Sequence, residues 1–283
     1  MDYQLTDERR SAIEKIKSLE VRNDDIFLFG YPKSGTTWAQ EMIWLIVNDL
    51  DYEGAKVFID ERFPVLDSVL FRGNELHHKL ELQCYSNVIG FVESMKAPRC
   101  IKSHFAVKYL PEEIVNGNKK PKIIYIARNP KDVCVSSYYY FTNILKVIDC
   151  SFEEFVEKFL SNFYWPSGNY WDHLFYFWNR RFEENILFIK YEDMKKNLLG
   201  VVREVSQFFD RILTKEEEDK LVDWLSFNTM KNNAAVNHNS LYGRDGFIRS
   251  GQVGDHKKTM STETLSKFND WIKKNTQNTD YQP

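Results

Sequence analysis

Four short strand-like stretches, three of them apolar runs, each ending in a polar cluster and separated by helical periodicity, constrain this chain more than any other feature. The first, Ile26 to Phe29, is bounded by Asp24-Asp25 on one side and Gly30 on the other, as expected of a parallel strand buried on both faces. From Thr37 to Asp49 the apolar residues Trp38, Met42, Leu45 and Ile46 recur at helical spacing, so the unit reads strand, glycine loop, helix. The same order returns in RCIKSHF (99–105), in PKIIYIARNPKDVCVSSYYYF (121–141), with a strand from Lys122 to Ala127, and in NILFIKYEDM (185–194). Asn129 reads as a helix N-cap and Pro130 as the first helical residue behind it. Further helices are expected over Phe152 to Leu160, Trp171 to Phe182 and Asn197 to Phe209, with a short amphipathic one around Ile13, Ile16 and Leu19. Such alternation predicts an α/β fold: a parallel β-sheet flanked by helices on both faces, in a single domain over residues 1–283. In sheets of this kind ligands bind beyond the carboxyl ends of the strands, and every unusual polar cluster of the chain falls there.

Composition narrows the ligand class. A hydrophobic content of 43% against 28% charged residues suits a soluble protein with a sizeable core. The formal net charge of −3 argues against bulk attraction to nucleic acid or an anionic membrane. Any phosphate site must then be a local concentration of donors. Cys84, Cys100, Cys134 and Cys150 show neither a CxxC pair nor a metal-ligand rhythm, so core thiols are expected. The polar start MDYQLTDERRSAIEKIKSLE is no signal peptide and no apolar run reaches membrane-spanning length, which predicts a cytoplasmic protein.

The loop GYPKSGTTW carries Gly30 and Gly35 at the spacing of a phosphate-binding loop, but Lys33 precedes the second glycine instead of following it. Ser34, Gly35, Thr36 and Thr37 can present successive N–H groups from a helix N-terminus; a plain turn capped by hydroxyls is the competing reading. Trp38 behind it is either core or a platform for a base. Lys102 and His104, two apart on an extended chain, face the same way. The lysine can neutralise an anion while the histidine takes a proton, unless His104 is merely structural. Arg128 ends a strand and can fork onto a phosphate, with Ser136 two turns into the helix; taken singly, a surface arginine and a helical serine explain both. FIRSGQVGDHKK (247–258) gathers Arg249, Gly251, Gly254, Lys257 and Lys258 without an apolar period. It is a solvated basic loop, or one that closes over a phosphate where Gly251 lets the backbone approach beside Arg249.

Taken together, YPKSGTTW, IKSHF, YIARNPKDVCVSSYY, YEDM (191–194), SFNTMKNN (226–233) and RSGQVGDHKK resemble, in order and spacing, the cytosolic sulfotransferases. The resemblance implies a P-loop-kinase-like sulfotransferase fold and a donor, 3′-phosphoadenosine 5′-phosphosulfate, with adenosine 3′,5′-bisphosphate as product and no metal. It implies transfer of a sulfonate group to a hydroxyl or amine of a small apolar or aromatic acceptor, such as a phenol or steroid. Lys33 would sit at the bridging oxygen and stabilise the charge arriving there as the S–O bond breaks. The backbone of Ser34 to Thr37 would hold the 5′-phosphate, and Arg128, Ser136, Arg249 and Gly251 the 3′-phosphate. Trp38 and Phe227 would sandwich the adenine, beside Tyr191 and Ser226. His104 would be the general base for in-line attack, Lys102 would steady the sulfonate oxygens, and Ser136 would restrain Lys33 until an acceptor arrives. Val65, Lys102, Phe105, Tyr140 and Phe141 would line the acceptor pocket, with Tyr170 and Trp171 as further candidates; an aromatic lining suits a flat hydroxylated compound, and rings that simply fill core are the plain alternative.

Three departures matter. Arg249-Ser250-Gly251 stands where the family has Arg-Lys-Gly, so Ser250 removes one cationic contact and lower donor affinity is expected. His256 follows Asp255 in place of a tryptophan. The family's dimer motif reads KKTMSTETLS from Lys257, with Ser261, Thr262 and Ser266 replacing Thr, Val and Glu, so the usual homodimer is not carried over. Two rival functions remain distinguishable. A small-metabolite kinase needs a lysine after Gly35 and a magnesium-holding acid, whereas a nucleotide carrier without catalysis needs neither Lys33 nor His104.

Overall fold

A computed structural model describes residues 6–71, 82–161, 166–239 and 247–283. The four stretches become strands β1 (Ile26–Gly30), β2 (Cys100–Ser103), β3 (Lys122–Ala127) and β4 (Ile186–Lys190), all parallel, in the order β2-β1-β3-β4. Alternate residues of each strand serve opposite faces. Phe27, Phe29, Ile101, Ile123 and Tyr125 enter one core; Leu28, Ile124 and Ile126 enter the other. The first core is closed by helices α1 (Asp7–Lys17), α3 (Pro130–Tyr139), α4 (Phe152–Leu160), α5 (Tyr170–Trp178) and α8 (Thr262–Thr276). The second is closed by α2 (Thr36–Val47), α6 (Leu198–Phe208) and α7 (Lys215–Trp224). Parallel strands covered on both sides explain why the runs are apolar without alternation.

The helix ends follow local chemistry. Asn129 Oδ1 accepts from Lys131 N at 3.0 Å with Pro130 behind it, as its sequence predicts. Asn197 is a cap rather than a helical residue, so α6 starts at Leu198. Helix α2 stops at Val47 because Asp49 and Leu50 take left-handed backbone, with φ of 53° and 56°. The helix expected over Trp171 to Phe182 is shorter: Asn169 caps it at Tyr170, and it ends at Trp178. Beyond that point Arg180 turns to pair with Glu183 at 2.8 Å and Phe182 is 82% exposed, leaving no apolar face to continue the helix.

Two long-range features fix the sheet edge that matters for function. Lys102 N donates to Pro64 O at 2.9 Å and Val65 pairs with Lys102, which lays residues 64–67 along the outer side of β2. At the other end of β1 and β2, Arg99 donates to both oxygens of Asp25, at 2.7 and 2.6 Å, with both side chains buried. Removing one partner of such a pair strands a buried charge, and Asp25→Ala is expected to lower unfolding free energy by about 3–5 kcal/mol. Urea denaturation checks this; an unchanged midpoint would show that water or a neighbour takes over the guanidinium.

Cys84, Cys100 and Cys134 are buried free thiols and Cys150 is half-buried; burial pushes the Cys100 thiol up to about 12. No helix among the described residues is long and apolar enough to cross a membrane.

Candidate active site

The carboxyl ends of β1, β2 and β3 open into one cavity of about 780 Å³. Its floor is the turn between β1 and α2. Gly35 occupies the left-handed region (φ 97°), and a Cβ there would lie 2.5 Å from the Tyr191 ring, so the close approach requires glycine. The amides at the start of α2 have no preceding helical carbonyl to bind and point their dipoles toward the cavity end of the helix. Ser34 Oγ and Arg128 Nε are both buried and have no hydrogen-bond partner among the described residues. Two unspent donors beside a helix N-terminus fit a compact anion.

Around this cradle the cations are held by neighbours. Arg128 donates to Lys33 O and to Gln252 O, both at 3.1 Å, and lies 4.3 Å from the Tyr191 ring centroid. Arg249 pairs with Asp255 and lies 4.5 Å from the Tyr139 ring; Ser250 Oγ donates to the same carboxylate at 3.1 Å. Asp132 pins this loop to α3 by accepting from Gly254 N at 2.7 Å, His256 N at 3.0 Å and His256 Nδ1 at 2.6 Å. His256, in place of the family's tryptophan, thus supplies a polar anchor. Gly251, with φ 60°, lies against Phe227, where a Cβ would stand 2.5 Å from the ring.

Trp38, Tyr191 and Phe227 all line the cavity. Trp38 is oriented by its Nε1 bond to Leu225 O at 2.8 Å and meets Tyr191 edge-on at 5.8 Å. Lys195 Nζ stands 5.6 Å from the Trp38 ring and 5.9 Å from the Phe227 ring, a cation that sequence reasoning passed over although it directly follows YEDM. Ser226 does not line the cavity. Its Oγ accepts from Thr229 N at 3.3 Å and caps the helix Phe227–Asn232, so it positions Phe227 instead.

Lys33 has left-handed backbone (φ 68°), and its Nζ lies 3.3 Å from the Phe247 ring centroid and 4.0 Å from that of Tyr140. Its expected restraint by Ser136 is not formed: Ser136 lines the cavity, yet among the described residues no hydrogen bond joins the two. The aromatic faces hold the ammonium instead. Burial, then the charges of Lys102, Arg128 and Arg249, push Lys33 well below its ordinary value.

Lys102 and His104 both line the cavity, as their spacing of two requires. His104 Nδ1 is 2.6 Å from Gly30 O. A carbonyl only accepts, so Nδ1 carries the proton and Nε2 is left as a bare proton acceptor. Burial first, then Lys102, pushes the ring down to about 3, which keeps it neutral. Asp67 fixes this stretch by accepting His104 N with both oxygens, at 3.1 and 2.9 Å, and burial pushes its carboxyl up to about 6.

The apolar end is lined by Val65, Leu70, Tyr140, Phe141, Leu145 and Phe155, among others. Phe105 is not part of it. One residue past His104 it faces the other way, fully buried in the first core, its ring centroid 6.0 Å from that of Tyr109. Tyr170 and Trp171 are likewise core: Tyr170 Oη donates to Arg128 O at 2.6 Å and Trp171 stacks on Phe175 at 5.5 Å.

The arrangement can take an anion, has apolar space beside it, and offers a neutral base and two lysines there. Among the described residues no cluster of His, Cys, Asp or Glu could hold a metal ion. The sulfotransferase domain family matches residues 23–280. The chain is 39% identical over 275 residues to a luciferin sulfotransferase of Photinus pyralis, covering 92% of this chain and 74% of that one. It is 34% identical over 267 residues to an amine sulfotransferase of Oryctolagus cuniculus, covering 90% and 82%. Among solved structures, retinol dehydratase in a complex with retinol and PAP is similar at a TM-score of 0.87 and 28% identity, covering 97% of this chain and 88% of that one. A mouse sulfotransferase complexed with PAP is similar at 0.74 and 26%, covering 96% and 91%.

Proposed function

This chain belongs to the sulfotransferase domain family and is a sulfotransferase, and from that premise we propose a specific reaction. It transfers a sulfonate group from 3′-phosphoadenosine 5′-phosphosulfate to a hydroxyl or amine of a small apolar or aromatic acceptor, by in-line displacement with His104 as general base. The observation that carries this reading is the 2.6 Å contact between His104 Nδ1 and Gly30 O, which assigns the proton to Nδ1 and leaves Nε2 as the acceptor on the wall of a cavity that ends at an anion cradle. The donor supplies an activated sulfonate on a leaving group that departs as an anion. Everything else falls to side chains of this chain. Ser34 Oγ and the first amides of α2 bind one phosphate, and Arg128, Ser136, Arg249 and Gly251 bind the other. Trp38 and Phe227 take the base between them, with Tyr191 beside it. His104 Nε2 accepts the acceptor's proton, while Lys102 faces the transferred oxygens and Lys33 the leaving oxygen. Val65, Tyr140 and Phe141 enclose a flat acceptor, as their rings and methyls favour. The altered dimer motif gives no ground for a homodimer, and its Ser261 is spent capping α8.

Incubating the pure protein with labelled donor and a panel of phenols, steroids and amines tests the reaction. Transfer to none of them, or tighter binding of magnesium ATP than of adenosine 3′,5′-bisphosphate, would overturn it. Arg128→Ala removes a charge-assisted contact and is expected to weaken adenosine 3′,5′-bisphosphate binding about 10- to 100-fold by calorimetry, with a smaller change in kcat. Unchanged affinity would remove Arg128 from the donor site.

A further inference from the structure

A second buried carboxylate stands behind the reacting groups. Asp60, in the short helix Ile59–Arg62, is 5% exposed and lines the cavity. Its Oδ2 accepts from Tyr85 Oη at 2.6 Å and lies 3.2 Å from His238 Nε2. Its Oδ1 is 3.5 Å from Gln40 Nε2. Gln40 is itself immobilised, donating to Phe63 O at 2.7 Å and accepting from Lys102 Nζ at 3.1 Å. A continuous polar chain therefore runs from His238 through Asp60 and Gln40 to Lys102. His238 is fixed in turn, with Nδ1 2.8 Å from Val236 O, so both its ring nitrogens face acceptors. The carboxylate is buried, where an uncompensated charge is costly.

The need for it lies in Lys102, which is 6% exposed. Burial pulls its ammonium toward the neutral amine, and the charges that oppose this are Asp60 and then Asp67. Asp67, whose carboxyl burial pushes up to about 6, is an anion only above that range and shares the work with Asp60 on the basic side. Burial acts on Asp60 in the same direction, but His238, Lys102 and Tyr85 outweigh it and hold Asp60 well below the usual carboxylate range. Lys33 and His104 also feel the charge of Lys102, and neither supplies an anion. A neutral amine at Lys102 cannot stabilise charge on a sulfonate oxygen.

We propose that Asp60 is a positioning residue for the transfer, acting through Gln40 and through its charge to keep Lys102 an aimed ammonium. The proposal rests on the role given to Lys102 above. It predicts where the reaction fails: at high pH, and for a reason located outside the reacting groups.

The test compares wild type with Asp60→Asn, Asp60→Glu and Lys102→Met. The readouts are the carbon-13 NMR titration of the lysine ε-carbons, with the Lys102 signal assigned by its loss in Lys102→Met, and the pH profile of kcat with an aliphatic steroid alcohol from the panel above, which does not itself titrate in this range. In Asp60→Asn the Lys102 midpoint and the basic limb of kcat are both expected to fall by about one pH unit or more, with affinity for adenosine 3′,5′-bisphosphate unchanged. Asp60→Glu, which keeps the charge, should retain the wild-type limb. If Asp60→Asn fails to fold, Asp60→Ser carries the same comparison. A midpoint and limb that both stay in place while Lys102→Met is impaired would overturn the role of Asp60 alone. Wild-type turnover by Lys102→Met would overturn the role of Lys102, and this proposal with it.

Discussion

His104→Ala is expected to lower kcat by about 10²–10⁴-fold, the usual contribution of a positioned general base, while affinity for adenosine 3′,5′-bisphosphate is unchanged. The geometry behind this is specific. Gly30 belongs to β1, at the base of the anion cradle, and its carbonyl fixes which nitrogen of His104 is bare. Equal turnover in the variant would remove His104 from the mechanism. The pH profile is a second check. Burial pushes His104 down to about 3, so the neutral base is fully populated from pH 5 upward, and no acid limb near 6.5, the midpoint of an exposed histidine, belongs to it. An inflection near pH 6 is expected to come from Asp67 and to disappear in Asp67→Asn.

Lys33→Met keeps chain length and removes the charge. It is expected to reduce kcat by about 10²–10³-fold, as for loss of one preorganised donor to a developing anion. A linked effect follows from the empty site. Burial and three neighbouring cations push Lys33 well below its ordinary value. An anion brought into the cradle stabilises the ammonium, so the bound state holds more protons than the free state. In the pH range where the free lysine gives up its proton, nucleotide binding is thus accompanied by proton uptake, and affinity falls as pH rises through that range. Calorimetry of adenosine 3′,5′-bisphosphate binding in buffers of different ionisation enthalpy measures this uptake. It should be larger in wild type than in Lys33→Met, and identical uptake in the two proteins would assign it to another group. The rings of Tyr140 and Phe247 provide the ammonium with a resting place that does not require the nucleotide.

Arg249 shows how a motif can be visible while its state is not. Its sequence neighbours mark it as a phosphate ligand by resemblance, yet its guanidinium is paired with Asp255. A phosphate bound at Arg249, as proposed above, would compete with, or share, an existing ion pair. Ser250 donates to the same carboxylate, so the residue replacing the family's lysine ties the loop down from the same side.

What the linear chain determined by itself was the set of strands, the turn after β1 and the polar cluster at each strand end. Periodicity encodes which face of an element is apolar, and a glycine loop or an Asn-Pro cap acts over a few residues; both signals are local. The same-side placement of Lys102 and His104 needed only the two-residue repeat of extended backbone. Only the tertiary structure decided what those residues touch. Phe105 goes to core because its neighbour takes the cavity side, and Ser226 is consumed by a cap. Asp60 and His238 meet across 178 residues of chain, and Gln40 joins them to Lys102 from a third element. No local pattern marks such a meeting, because burial and pairing of a polar side chain depend on which distant segments the sheet brings to the same edge.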